Sequence, residues 1–518
     1  MKNSHLLWIF IAMIAISCRN DSSTKPENSD KQDSLQKPNK PNIVLLYVDD
    51  LGYADLSSYG AKGVETPHTD SLARNGVMFT DAHSSAATCT PSRYSLLTGN
   101  YAFRNNAAIL PGDAPLLIDT SMVTLPKMLQ NAGYTTGVVG KWHLGLGYGK
   151  VNWNEPVTPG PAEVGFDYSF LLPATGDRVP TVFLEDDKVL NLSKDDPIKV
   201  SYEEKVGDRP LGTEKPELLK MKADLQHSQT IVNGISRIGY MSGGESAEWI
   251  DEEFPFIFTE KASNFITRNK ANPFFLYFSF HDIHVPRAPN ERFQGKSDMG
   301  RRGDAIVQMD YVVGEIKKIL EKEGLAENTM IIFTSDNGPV LDDGYDDKAV
   351  ELVGEHDPAG PFRGGKYSIY EGGTRVPMIV YWPGTVEPRK SAAMMNQLDF
   401  YASLAELVGQ DMGGQIIDSE NHLDALLGRT EKGREVMLEE AFTLALRDGD
   451  WKYIQPFTDG SIPDWMANKD IEAGLKSAPQ LYDLSRDKAE QHNLAHENPE
   501  MVKKYEQMIK DIKNHSAN

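Results

Sequence analysis

Several short and nearly uninterrupted apolar runs constrain the fold of this chain more than any other feature. They span residues 42–48, 135–139, 273–280, 330–335 and 378–382. A short apolar run without polar alternation is typical of a strand buried on both faces, as in a parallel sheet covered by helices. The sequence therefore predicts an α/β fold with a large, mixed, mostly parallel sheet sandwiched by helices.

Helical patterns lie between these runs, and a different pattern follows them. The predicted helices span residues 66–76, 125–133, 255–269 and 302–323. After about Leu423, the chain shows an Asp-Gly hairpin at residues 447–454, a strand at 480–484 and an amphipathic helix at 501–513. We therefore expect a large domain at residues 41–423 and a smaller C-terminal α+β subdomain, built on an antiparallel sheet, at residues 424–518.

The N-terminus resembles an export signal. Lys2 precedes an apolar run at residues 6–16 that is too short for a membrane span, so residues 1–18 are predicted to be a signal peptide. The stretch Ala15-Ile16-Ser17-Cys18 resembles a bacterial lipobox, which implies a periplasmic or cell-surface lipoprotein acylated at Cys18. An unlipidated signal peptide is the alternative. Residues 19–40 are polar, lack apolar periodicity and are predicted to be a disordered tether.

The charge balance limits the partners of the chain. It carries 53 Lys+Arg against 75 Asp+Glu, a formal net charge of −22, which disfavours binding to nucleic acid and to anionic membrane surfaces. The membrane is expected to be reached only through a lipid anchor at Cys18. An anionic substrate therefore requires a local cluster of cations. Only two cysteines are present, and each has its own explanation, so a disulfide framework is not expected.

Polar side chains follow the predicted buried strands, and an α/β sheet places its ligands at the carboxyl ends of such strands. Four of them, Asp49, Asp50, Asp336 and Asn337, offer only oxygen ligands. This set suits a hard divalent cation, with calcium the first choice and magnesium the second, and it does not suit zinc. The cationic side chains that accompany them are Arg93, Lys141, His143, His284 and Lys366. Together they predict a site for an anion beside a metal ion.

The stretch from Thr88 to Gly99 contains the most distinctive motif. Pro91 suits the first turn of a helix and Thr90 suits its cap, so Cys89 is expected just ahead of a helix N-terminus. Backbone N–H groups and the helix dipole favour negative charge there, and hence a reactive thiol or its oxidised product. A buried cysteine before an ordinary capped helix is the alternative reading of these residues.

With Ser92 and Arg93 in place, the motif resembles the C-x-P-S-R signature of the type I sulfatases, which belong to the alkaline-phosphatase-like superfamily. The following Leu-Leu-Thr-Gly matches too, and the resemblance extends over residues 41–494, so residues 41–423 are identified as a sulfatase catalytic domain. It implies that a separate formylglycine-generating or anaerobic maturation enzyme converts Cys89 to Cα-formylglycine. One departure is Asp282-Ile283-His284 where many relatives carry Ala-Pro-His, which leaves His281 as a second catalytic candidate.

The resemblance also implies a role for each matching residue. By this resemblance, the hydrate formed at Cys89 attacks sulfur, and Arg93 holds that hydrate. Lys141 and Lys366 bind the sulfate oxygens, His284 protonates the leaving alcohol, and His143 accepts the proton that allows sulfate to leave. The metal is held by Asp49, Asp50, Asp336, Asn337 and residue 89. Catalysis then consists largely of positioning and electrostatic stabilisation, as in phosphoryl transfer.

The substrate class is inferred from the export signal and the family. A bacterial sulfatase of this kind is expected to act on a sulfated carbohydrate, and the candidate contacts to the sugar are Arg178, His281, Asp282, Arg287 and His356. Small aryl sulfates, or a phosphate or phosphonate monoester, are the alternative substrates. A catalytically idle glycan-binding lipoprotein and a thiol hydrolase that uses Cys89 directly are the remaining alternatives.

Overall fold

The computed structural model describes residues 40–458, 460–466, 469 and 471–515. The predicted signal peptide and the predicted tether, apart from its last residue, lie outside the described residues. None of the described helices combines the length and the apolar character that crossing a bilayer requires.

The described chain contains strands and helices in an order that alternates over most of its length. In chain order the strands are β1 (Asn42–Val48), β2 (Val77–Phe79), β3 (Ala82–His83), β4 (Thr135–Lys141), β5 (Tyr168–Leu172), β6 (Leu184–Glu185), β7 (Lys188–Val189), β8 (Lys199–Ser201), β9 (Ile231–Val232), β10 (Ile235–Ser236), β11 (Tyr240–Ser242), β12 (Phe274–Ser279), β13 (Thr329–Ser335), β14 (Met378–Tyr381), β15 (Arg389–Ser391), β16 (Met395–Asn396), β17 (Val436–Ala441), β18 (Thr443–Asp448), β19 (Trp451–Ile454) and β20 (Gln480–Asp483). The helices are α1 (Pro67–Arg74), α2 (Cys89–Thr98), α3 (Leu125–Asn131), α4 (Pro161–Val164), α5 (Phe254–Asn269), α6 (Gly300–Lys322), α7 (Ala349–Leu352), α8 (Glu371–Thr374), α9 (Phe400–Val408), α10 (Leu423–Leu426) and α11 (Pro499–Asn514). The predicted strands and long helices are present, within a few residues of their expected bounds.

The large sheet has ten strands in the order β15-β2-β14-β13-β1-β12-β4-β5-β6-β7. Its centre, from β13 to β5, is parallel throughout, whereas the pairs on either side of this centre include antiparallel ones. Every residue of β1, β12 and β13 is buried, which explains why these segments read as uninterrupted apolar runs. The predicted mixed, mostly parallel sheet is confirmed.

Helices cover both faces of this sheet, and alternate residues of β1 point to opposite cores. Ile43 and Leu45 belong to a core with residues of α2, α3 and α9. Val44 and Leu46 belong to a second core with residues of α5 and α6. The predicted sandwich of helices around the sheet is therefore confirmed.

A second sheet forms near the C-terminus. Strands β17, β18, β19 and β20 pair antiparallel in chain order, and Tyr505 and Ile509 of α11 pack on their inner face. Gly449 adopts a positive φ of 56° in the Asp-Gly turn between β18 and β19, as a tight hairpin turn requires. The predicted antiparallel sheet is confirmed, whereas the exact boundary at residue 423 stays a prediction.

A buried group of charged side chains lies where this second sheet meets the large domain, and we call it the interface cluster. Its members are Asp81, His83, Glu371, Arg375, Glu439, Arg447, Lys452 and Glu490. Carboxylates and cations alternate through it: Lys452 lies 2.7 Å from Glu439 and 3.1 Å from Glu371, and Arg447 lies 2.7 Å from Glu371. These ion pairs join β17, β18 and β19 to the first residue of α8, Glu371.

Candidate active site

Cys89 is the first residue of α2, and every residue of this helix is buried. The N-cap is Thr88 and not Thr90, so the helix begins earlier than expected. Thr90 instead donates its hydroxyl to the carbonyl oxygen of His143 at 3.0 Å. This contact ties the start of α2 to the segment that follows β4, and so brings Cys89 and His143 to the same end of the sheet.

The predicted oxygen ligands converge beside Cys89. Asp49 and Asp50 follow β1, and Asp336 and Asn337 follow β13, the strand that pairs with β1 in parallel register. The four side chains are fully buried, and one carboxylate oxygen from each of the three aspartates lies within 4.8 Å of the others. Neighbouring parallel strands thus end with their acidic residues facing one another, as the sequence predicted.

Three cations surround these carboxylates. Lys141 Nζ lies 2.6 Å from Asp49, and Lys366 Nζ lies 2.8 Å from Asp50. Arg93 donates from Nε and Nη2 to one oxygen of Asp336 at 3.0 and 2.7 Å. The four oxygen-ligand residues, these three cations and Cys89 together form what we call the active-site cluster: Asp49, Asp50, Cys89, Arg93, Lys141, Asp336, Asn337 and Lys366.

The electrostatics of this cluster fit a bound cation. Burial, with the charges of Asp336 and Asp50, raises the pKa of Asp49 to about 8 against the opposing effect of Lys141. The Asn337 side-chain oxygen is buried and has no hydrogen-bond partner in the described part of the chain. Three converging carboxylates and a free amide oxygen are the donors that hard divalent ions prefer. The residues present therefore fit such an ion.

A cavity of about 270 Å³ opens above Cys89, which is 2% exposed. Cys89 Sγ donates to Asp49 Oδ1 at 3.7 Å. Burial raises the pKa of the Cys89 thiol to about 12, although Lys141 and Lys366 lower it. The expected activation of the thiol by the helix N-terminus is therefore outweighed by burial. Direct attack by Cys89 as a thiolate, the thiol hydrolase alternative, finds no support in this environment.

Two histidines line the cavity, and burial lowers the pKa of each well below its usual value, so both are neutral. His143 Nε2 lies 2.9 Å from the carbonyl oxygen of Leu110, so Nε2 carries the proton. Its Nδ1 is buried and has no hydrogen-bond partner among the described residues. His284 Nδ1 lies 2.6 Å from the carbonyl oxygen of Val285, which leaves Nε2 on the side of Asp50, 3.9 Å away.

Among the predicted sugar contacts, only Arg178 lines the cavity, where its guanidinium donates to Asp177 at 2.7 Å. The structure does not bring the other four to the lining, because their polar groups are held elsewhere. His281 accepts from the Gly176 amide at 2.8 Å, Asp282 accepts from Gln308 at 2.6 Å, Arg287 pairs with Asp347 at 2.7 Å, and His356 contacts Asp55 at 2.9 Å. Each of these four side chains therefore has a partner within the protein and none lines this cavity, so their role as sugar contacts stays a prediction.

Further lining residues escaped the sequence analysis. They include Asp177, Tyr202, Gln226, His227, Asp343, Tyr367, Trp465 and Lys469. Asp343 is the most instructive, because it accepts from Lys366 Nζ at 3.0 Å and so shares this ammonium with Asp50. None of these residues follows a buried strand of the large sheet. The available signals were the position of Tyr367 next to Lys366 and that of Asp177 next to Arg178.

The α/β sandwich, the converging oxygen ligands and the buried ammonium groups define a hydrolase of anionic esters. Residues 41–410 match the family profile described as Sulfatase. The chain belongs to the sulfatase family, and it is a sulfuric ester hydrolase.

Three similar proteins place the chain within this family. It is 50% identical to the N-acetylgalactosamine-6-O-sulfatase of Bacteroides thetaiotaomicron over 93% of this chain and 95% of that protein. It is 30% identical to human arylsulfatase A over 88% of this chain and 83% of that protein. A solved structure described for the metabolism of multiple glycosaminoglycans by B. thetaiotaomicron matches with a TM-score of 0.90 and 50% identity, over 92% of this chain and 100% of that chain.

Proposed function

We propose that this sulfatase removes 6-O-sulfate from N-acetylgalactosamine units of a sulfated glycan. The observation that carries the proposal is a cavity of about 270 Å³ that the buried Cys89 lines, with the carboxylates buried beside it. A 6-O-sulfate projects from the sugar ring on an exocyclic carbon, so it can reach the buried Cys89 while the ring stays further out. The 50% identical N-acetylgalactosamine-6-O-sulfatase supports the same choice.

Cys89 is proposed to be the precursor of Cα-formylglycine, made by a formylglycine-generating or anaerobic maturation enzyme. Its place supports this assignment, since Sγ lies within 4.8 Å of ligand atoms of both Asp49 and His284 and lines the cavity. Once formed and hydrated, the aldehyde supplies a hydroxyl nucleophile for sulfur. The surrounding residues fit this group because they offer a proton acceptor, two ammonium groups and oxygen ligands around a single position.

Asp49, Asp50, Asp336 and Asn337, together with the modified residue 89, are proposed to hold the divalent cation. Calcium is the first choice because the donors are all oxygens, and magnesium is the alternative. The ion supplies positive charge at the reacting group. Arg93 positions this set, because its two N–H groups fix one oxygen of Asp336.

Lys141 and Lys366 are proposed to bind the non-bridging oxygens of the sulfate. Both ammonium groups are buried, so their attraction for an anion is much less screened than it is at the surface. They already lie 2.6 and 2.8 Å from Asp49 and Asp50. A sulfate that arrives beside a bound cation therefore meets positive charge that is fixed before the reaction begins, which is the condition for electrostatic catalysis.

The two neutral histidines are proposed to move protons. His143 Nδ1 has a free lone pair and accepts a proton when sulfate is expelled. His284 Nδ1 donates to a carbonyl, which leaves Nε2 free to take up a proton and deliver it to the leaving sugar oxygen. An anionic ester beside His284 offsets the charge of Lys366 and Lys141, and so makes the protonated ring more accessible.

The chain is further proposed to be exported and anchored to a bacterial membrane through lipid on Cys18. The similarity to a bacterial glycan sulfatase supports an extracytoplasmic role, because sulfated polysaccharides are met outside the cell. Cys18 itself lies outside the described residues.

The proposal is tested by sulfate release from N-acetylgalactosamine 6-sulfate, its 4-sulfate isomer and a small aryl sulfate, each at equal concentration. We expect the 6-sulfate to be preferred and Cys89→Ala to be inactive on all three. Mass analysis of the peptide that carries residue 89, from active protein, should show the aldehyde. Exclusive turnover of the aryl sulfate, or an unmodified thiol in active protein, would refute the assignment.

A further inference from the structure

A second and larger opening adjoins the active-site cavity. It has a volume of about 990 Å³ and shares three lining residues with the inner cavity, Gln226, Trp465 and Lys469. The two openings therefore adjoin at these three residues. We call the larger one the outer groove. Its rim carries Leu225 and Val350, whose apolar side chains are 81% and 54% exposed.

The volumes indicate what each part accommodates. Pockets for small organic ligands measure roughly 300–1,000 Å³, so the inner cavity is at the lower end and the outer groove is at the upper end. A sulfuric ester has a single leaving group, and in a glycan that group is the whole remaining chain. When one sulfated sugar occupies the inner cavity, the sugar linked to it must extend out of that cavity into a neighbouring opening.

Trp465 lies where the two openings adjoin, and its ring is held by contacts with neighbouring side chains. Its ring packs against Tyr367 at 4.9 Å between centroids and 64° between planes, and Lys469 Nζ lies 5.6 Å from its centre. The Tyr367 hydroxyl contacts Asp343 at 3.1 Å, and Asp343 holds Lys366. Trp465 is only half-buried, so part of the indole remains available to a ligand at little cost in side-chain entropy.

Gln226 gives an independent sign of a ligand at the same place. Its side-chain oxygen is buried and finds no hydrogen-bond donor in the described ranges of the chain. A buried acceptor without a donor costs free energy, so such an atom calls for a partner. A sugar hydroxyl supplies that donor, whereas the flat C–H face of a pyranose suits the indole.

Resting on the proposed function, we propose that Trp465 and Gln226 form a second sugar subsite, which binds the saccharide unit linked to the sulfated sugar. That unit stacks on Trp465 at the entrance of the outer groove and donates a hydroxyl to Gln226. The preferred substrate is therefore an oligosaccharide that ends in the sulfated sugar, and not the isolated sulfated monosaccharide.

The test compares kcat/KM for a 6-sulfated monosaccharide with that for a disaccharide ending in the same sulfated unit. We expect the wild-type enzyme to prefer the disaccharide about tenfold or more, which corresponds to one aromatic stacking contact of about 1.4 kcal/mol. Trp465→Ala should reduce this ratio about tenfold, mainly by raising KM for the disaccharide. Trp465→Phe should keep most of the ratio, since it preserves an aromatic face.

Tyr148→Ala is the matched control, because Tyr148 is 88% exposed and lines neither opening. It should change neither value of kcat/KM. A wild-type enzyme without preference for the disaccharide, or a Trp465→Ala enzyme that loses both substrates equally, overturns the subsite while the proposed function stands. No turnover of either sugar, in protein that still hydrolyses an aryl sulfate, overturns the proposed function and the subsite together.

Discussion

The active-site cluster and the interface cluster are both buried groups of charged side chains, but their charges are arranged differently. In the interface cluster each carboxylate lies beside cations. Glu371, for example, is contacted by three of them, Arg375, Arg447 and Lys452. In the active-site cluster the carboxylates of three aspartates face one another, and Lys141 and Lys366 contact two of them from the periphery. In the interface cluster the charges of the chain balance one another, whereas the active-site cluster leaves a position that attracts a positive ion.

This difference shows how to separate a structural ionic network from a functional one. Asp81, His83 and Glu371 also lie close enough together to share an ion, so proximity of ligands alone does not identify a metal site. Three basic residues of the chain already neutralise that group. Burial raises the pKa of Asp49 and of Glu490 alike to about 8, so a raised pKa does not separate the two clusters. What distinguishes the active site is that three aspartates converge on one position beside the unpartnered amide oxygen of Asn337, among the residues that the structure describes.

The largest expected effect comes from removing the side chain at the centre of the active-site cluster. Cys89→Ala should lower the rate of sulfate release by at least about 10⁴-fold, because the nucleophile is lost. The thermal midpoint should change little, since a small side chain is replaced by a smaller one and the interface cluster is untouched. Sulfate release and thermal unfolding measured on the same sample check both statements. Retained turnover would contradict the assigned role of Cys89.

Lys452→Met and Lys366→Met form a matched pair across the two clusters. Lys452→Met leaves Glu371 and Glu439 buried without this cation, so we expect a loss of about 3–5 kcal/mol in the free energy of unfolding. Lys366→Met should lose activity with a smaller loss of stability, because Asp343 keeps Lys469 as a partner at 3.1 Å and Asp50 keeps the proposed divalent cation. Urea unfolding and sulfate release measure the two effects. Equal destabilisation by both variants would remove the distinction between the clusters.

Divalent cations should stabilise the protein through one cluster only. At a concentration 100 times its dissociation constant, calcium should add about 2.7 kcal/mol to the free energy of unfolding. Asp336→Asn should abolish this gain, and Asp81→Asn should leave it intact. Thermal unfolding with calcium and with a chelator provides the measurement. A calcium response that depends on Asp81 would assign the ion to the interface cluster instead.

The smallest effect concerns pH. Burial lowers the pKa of His83, but the carboxylates of Asp81, Glu371 and Glu439 outweigh burial and raise it above 6.5. The folded state then holds a proton that the unfolded state releases, so stability is full below pH 6.5 and falls as pH rises through the raised pKa. The slope is at most about 1.4 kcal/mol per pH unit. His83→Gln should flatten it in urea unfolding between pH 6 and 9, and an unchanged slope would exclude His83 as its origin.

The fold and the centre of the site could be predicted because both depend on the parallel strands. Strands buried on both faces produce uninterrupted apolar runs, and their ends fix where Asp49 and Asp336 meet. The walls of the cavity follow no such rule. Trp465 and His227 come from long segments without periodicity, and Arg287 was expected to contact sugar although it is buried in a pair with Asp347. Whether a charged loop residue faces a ligand or a neighbour depends on packing that sequence patterns do not record.

The complete burial of α2 has a consequence for how the enzyme comes into being. Cys89 is enclosed together with all other residues of its helix, so no second protein can grip this segment once the fold has closed. Any enzyme that oxidises Cys89 must therefore meet the nascent or translocating polypeptide. If residue 89 is oxidised as proposed, molecules that fold before this step would stay inactive, and the active fraction of a preparation would depend on whether oxidation precedes folding.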